Sequence, residues 1–122
     1  MTFKQFYANK KANRDNLSEG RTQIPMSELV MRINNVTITD FSFGKTKDGA
    51  YYCICLCKEL PDRYFFASSV LYDSLREFIA ECYNNSVSDA KAAVKAEGGW
   101  PYSVSSQRSR SGKNYYAWSP IF

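Results

Sequence analysis

Three cations and four aromatic rings crowd the last fifteen residues of this 122-residue chain: Arg108, Arg110 and Lys113, with no acid among them, then Tyr115, Tyr116, Trp118 and Phe122. A guanidinium or ammonium group holds phosphate oxygens through charge-assisted hydrogen bonds, and an aromatic face stacks on a nucleobase whatever its identity. Non-covalent capture of a single polyanionic strand is the chemistry that these residue types offer. A second group of cations and a ring, Lys45 and Lys47 followed across Asp48 by Tyr51, lies in the middle of the chain, and Arg63 with Phe65 forms a third.

Covalent chemistry has less to work with. The chain contains no histidine, which removes the commonest general base and the commonest metal ligand. Asp40, Asp48, Glu59 and Asp62 are the carboxylates from which a small magnesium nuclease would have to draw, but three of them fall in predicted turns, where acids serve conformation. Gly44-Lys45-Thr46 imitates the end of a phosphate-binding loop; that loop needs glycine five residues earlier, and Thr39 stands there. The four cysteines lack the paired spacing of a zinc site, and Cys53, Cys55 and Cys57 alternate along one predicted strand, where they read as small apolar packing residues. No catalytic residue, cofactor or metal is expected.

A chain of this length, 44% hydrophobic and 16% aromatic, suits one domain with its own core. Charge is unevenly spread: residues 1–23 and 101–122 each carry a net +3, and the residues between them −2. Basic ends suit a polyanionic partner. There is no apolar run of about 18 residues and no secretory signal pattern, so the chain is expected to be soluble, cytoplasmic and away from membranes, with reduced thiols.

The elements that must position the cations follow from periodicity. Residues 1–23 read as a basic arm whose Phe3, Phe6 and Tyr7 have helical spacing, and residues 24–122 as the domain. Leu29, Met31 and Ile33 alternate with Val30, Arg32 and Asn34, and the apolar set changes parity at Asn34-Asn35, where Val36 and Ile38 continue it; a bulged long strand and a tight turn between two strands both fit. Asp48-Gly49 marks a hairpin into a strand from Tyr51, and Glu59 to Asp62 turns into a third strand at Arg63. Leu71, Leu75, Phe78, Ile79 and Cys82 define a helix, Ser86 and Asp89 cap a second one that ends at Gly98-Gly99, and a last hairpin closes the chain. The alternation of side chains puts Phe65 on the face of Arg63 and Tyr51 opposite Ile54 and Leu56, which nominates both rings for a solvent-facing groove.

Three antiparallel strands, a helical insert and two more strands match a mainly β, five-stranded oligonucleotide-binding barrel with helices between strands three and four. Through Val36-Thr-Ile-Thr-Asp40, Asp48-Gly-Ala-Tyr-Tyr52, Tyr64-Phe-Phe-Ala-Ser-Ser-Val-Leu71 and Ser111-Gly-Lys-Asn-Tyr115, the chain resembles the small single-stranded DNA-binding proteins of phages and bacterial mobile elements. It lacks their acidic C-terminal tail. The resemblance implies sequence-independent binding of single-stranded DNA, with RNA and a homo-oligomer left open, in replication or recombination. Lys45, Lys47, Arg63, Arg108, Arg110 and Lys113 would meet phosphates, and Tyr51, Phe65, Tyr115 and Trp118 would offer stacking faces. A protein-binding adaptor on the same barrel is the alternative.

Overall fold

The computed structural model describes residues 2–4 and 17–122. Its elements, in chain order, are β1 (Thr22–Gln23), α1 (Met26–Arg32), β2 (Asn35–Lys45), β3 (Tyr51–Cys57), β4 (Arg63–Phe66), α2 (Ser69–Cys82), α3 (Val87–Ala96), β5 (Trp100–Arg108) and β6 (Asn114–Pro120). The amphipathic start expected at Phe3, Phe6 and Tyr7 lies mostly outside the described residues.

The strands form one sheet in the order β1-β4-β3-β2-β5-β6, antiparallel throughout except for the parallel pair β1 and β4. Six strands replace the expected five, and the sheet does not close. The edges of the sheet are β1 and β6; β1 covers β4 only at Arg63 and Tyr64, and beyond it the seam between β4 and β6 is spanned by side chains, the rings of Phe65 and Trp118 stacking with centroids 5.9 Å apart and planes 9° from parallel. Trp118 also donates its indole N–H to the Ser68 hydroxyl, 2.9 Å away. That contact diverts the N-cap serine of α2, which makes no side-chain cap bond to its own helix.

The segment around Leu29 is a helix where alternation suggested a strand. Met26, Leu29, Val30 and Ile33 pack on the core at the spacing i, i+3, i+4 and i+7, whereas Met31, the middle member of the expected alternation, is 86% exposed. Glu28 and Arg32 form an i,i+4 ion pair along the helix at 3.0 Å. The change of parity at Asn34-Asn35 is therefore the passage from α1 into β2. A genuine irregularity occurs further on, where the register of β2 against β3 shifts between Ile38 and Asp40.

One face of the sheet is the core face. Val36, Ile38 and Phe41 from β2, the three cysteines of β3, Phe65 from β4, and Trp100, Tyr102 and Val104 from β5 are buried beneath Leu71, Leu75 and Ile79 of α2 and Ala90 and Val94 of α3. α3 is fastened to the irregular point of β2 by Lys91, whose ammonium group lies 2.6 Å from both the Asp40 carboxylate and the Phe41 carbonyl. Gly99 precedes β5 with φ +108°, and a side chain there would strike Thr37 and the Ile38 carbonyl, so the chain can enter the sheet at this point only as glycine. Among the described residues, no helix is long and apolar enough to cross a membrane.

The cysteine ladder is inert packing. Contact with Cys53 and burial push the Cys55 thiol well above its usual range, and burial raises that of Cys57. Cys82 is exposed at the end of α2. A native-state maleimide pulse read by mass spectrometry should therefore label one thiol quickly, and the other three only at the rate of unfolding.

Candidate nucleic-acid interface

The basic hairpin tip is built by its own backbone. The Ser109 amide donates to the Lys113 carbonyl at 2.8 Å and the Gly112 amide to the Ser109 carbonyl at 2.9 Å, with Gly112 at φ +83°. Arg108, Arg110 and Lys113 are all exposed, and none has an acidic partner among the described ion pairs. β5 pairs with β2 only through Trp100–Ser103, while its pairing with β6 continues to Arg108 opposite Asn114. The tip therefore stands on a two-stranded arm that projects beyond the sheet.

The Lys45 and Lys47 loop is formed in the same way. Thr46 and Ala50 close the turn at 2.8 Å, Gly49 sits at φ +92°, and the Thr46 hydroxyl donates to Asp48 at 2.7 Å, which holds the Asp48 carboxyl below its usual range. The Lys45 ammonium lies over the ring of Tyr51, 5.2 Å from its centroid, and Tyr51 is 64% exposed. Because β2 and β5 are antiparallel, the two basic loops leave the sheet at opposite ends of that pair. They bracket the sheet and do not form a single cluster.

Three of the expected contact residues have other work. Arg63 donates to the carbonyls of Thr22 and Gln23, both at 3.2 Å, and lies 3.7 Å from the Glu28 carboxylate, so it clamps β1 and α1 to the edge of β4. Phe65 and Trp118 are 1% and 6% exposed. A ring stacked in the core has no free face for a base, and both are withdrawn as stacking platforms. Tyr115 remains available, 39% exposed on the arm, with its hydroxyl directed at Gln107, 3.3 Å away.

The parity of β4 is thus the reverse of the one expected, and its outward residues are Tyr64 and Phe66. They meet Tyr52 of β3 on the same side: Tyr52 and Phe66 pack edge to face at 5.8 Å, and Tyr64 and Phe66 at 6.0 Å. Ile54, opposite Phe66, shares this outer face, while the cysteines face inward. Gly44 lies opposite Tyr52, and a side chain there would fall inside the tyrosine ring, so glycine lets Tyr52 lie flat across β2. The result is a strip of rings on the outer face of β3 and β4, on the side away from the helices. Its sequence signal was present in the alternation of β3, where three cysteines on one face leave Tyr52, Ile54 and Leu56 on the other.

The carboxylates are scattered. Asp40 is bound by Lys91 and lies 3.7 Å from Lys95, and Glu59 accepts from the Thr37 amide and hydroxyl at 2.7 and 2.8 Å. Among the described residues, no three side chains of the metal-binding types gather into one site. No family model, curated protein or solved structure matches the chain.

Proposed function

We propose that this chain binds single-stranded DNA without chemical turnover, in the replication or recombination of a phage or mobile element. The strip formed by Tyr52, Tyr64 and Phe66, bracketed by two loops rich in cations, is the observation that supports the reading most. Stacking rings accept any base, and cations neutralise the backbone, so the combination suits binding that ignores sequence. On this reading β2 to β6 are an oligonucleotide-binding barrel opened at the seam between β4 and β6, and β1 is an added edge strand. Lys45, Lys47, Arg108, Arg110 and Lys113 hold phosphates, with Tyr51 and Tyr115 as flanking rings.

Five neutralised phosphates correspond to a log–log salt slope of about −3.5 for a single strand. Fluorescence anisotropy with labelled single- and double-stranded oligonucleotides over a range of salt concentrations measures it. A slope near zero, or a preference for duplex, overturns the proposal.

A protein-binding adaptor is the second reading, favoured by the outer edge of β6. The bonds Ser109 to Lys113 and Ile121 to Pro101 fix the alternation of this antiparallel pair, so the backbone groups of Asn114, Tyr116 and Trp118 point away from β5. Among the described residues no strand pairs with this edge, and such an edge accepts an added strand. Charge reversal at Arg108 and Arg110 leaves such binding intact and abolishes DNA binding.

A further inference from the structure

On the helix side of the sheet, where α2 meets β5, lies a cavity of about 490 Å³. Its walls are mainly apolar, and two of its rings form a corner: Phe78 and Trp100 stand 84° apart with centroids separated by 4.9 Å. Among the described residues, Glu97 is the one lining residue with a charged side chain. The Trp100 indole N–H donates to its carboxylate, which fixes the charge beside the rings. No described cation pairs with Glu97. Burial raises the Tyr102 phenol above its usual range, and with the Ser74 hydroxyl it supplies neutral polar groups to the lining.

Trp100 is 9% exposed, with Phe41 and Tyr83 stacked on its ring at 5.7 and 6.3 Å, so the aromatic face open to the cavity is that of Phe78, 37% exposed. An open ring beside a carboxylate that has no described cationic partner supplies the parts of a site for an organic cation: the Phe78 face attracts the charge, the apolar walls take the hydrocarbon, and the carboxylate supplies the counter-charge. The surroundings have the same sign, since α2 carries Asp73, Glu77 and Glu81 on its length and its Arg76 is taken up over the ring of Phe43, 4.2 Å from the centroid. We infer that this cavity is a protein-docking site that receives an arginine or lysine side chain from a basic segment of a partner polypeptide. The site stands apart from the basic loops and the outer ring strip, so a partner seated here leaves the proposed nucleic-acid face open.

Nα-acetyl-arginine amide and its uncharged counterpart Nα-acetyl-norleucine amide are the probes, titrated into the full chain while the indole N–H signals of Trp100 and Trp118 are followed by NMR. The arginine probe should shift the Trp100 signal saturably, with a dissociation constant on the order of millimolar, and leave Trp118 unmoved. Glu97→Gln keeps an oxygen for the indole bond and removes the charge; it should weaken the arginine probe at least about fivefold, in the range of a cation losing its counter-charge and retaining the Phe78 ring. Phe78→Ala, which keeps the charge and removes a wall, should weaken it as well. Equal binding of the norleucine probe, an unchanged affinity in Glu97→Gln, or no Trp100 shift with either probe overturns the inference.

Discussion

Replacing Tyr64 and Phe66 together with alanine should weaken binding of a labelled single-stranded oligonucleotide at least about 30-fold, since each stacked ring contributes roughly 1–3 kcal/mol and every 1.4 kcal/mol is a factor of ten. Both side chains lie on the outer face, and their ring contacts are with each other and with Tyr52. Their removal therefore opens no cavity in the core, and the thermal midpoint should move little. Anisotropy and a melting curve on the same preparation separate the two effects. Affinity unchanged in a folded double variant would remove the ring strip from the interface and leave the two basic loops as a non-specific cationic surface. In that event the salt slope would persist while the preference for single strands disappeared, because duplex phosphates satisfy a cation as well as single-stranded ones do.

That strip was only half legible in the sequence. The alternation of β3 separates Tyr52, Ile54 and Leu56 from the cysteines, but alternation alone does not say which face is inside. The choice for β4 turned on Arg63, a charged residue that ordinarily marks the solvent face. Here it sits at the first position of the strand, at the rim, where its long side chain turns back to hold the carbonyls of Thr22 and Gln23. Two residues further on, the same face enters the core as Phe65. A two-residue parallel strand has almost no pattern of its own, so β1 could not be read from sequence, and neither could the role it gives Arg63. The helix at Met26–Arg32 was missed for a related reason: over seven residues, spacings of two and of three to four overlap at Leu29 and Ile33, and only the exposure of Met31 separates them. The hairpin cations were legible because nothing competes for them. A loop with glycine and serine at its turn has no packing demand to override the local signal.

Phe65→Ala should cost about 3–5 kcal/mol of folding stability, the range for deleting a buried aromatic ring, and so a large part of the roughly 5–15 kcal/mol available to a small domain. The size follows from position. Phe65 is the core residue of the shortest antiparallel strand and stacks on Trp118 across the one seam that has no backbone pairing. Elsewhere in the sheet a lost side chain leaves ladder hydrogen bonds in place; here the stack and the bond from Trp118 to Ser68 are what ties β6 to β4 and α2. Trp118→Phe keeps a ring and loses the hydrogen bond, for which about 1 kcal/mol is expected. Urea denaturation gives both values, and a double-mutant cycle of Phe65→Ala with Trp118→Ala should return a coupling of about 0.5–1.5 kcal/mol for the aromatic pair beyond simple burial. The same variants distinguish core from groove. If Phe65 is core, the folded fraction of Phe65→Ala binds single-stranded DNA with unchanged affinity, and the apparent loss disappears on cooling or on adding a stabilising osmolyte. If instead affinity falls while the urea midpoint holds, Phe65 is reaching the base, and the seam between β4 and β6 must open in solution to expose it.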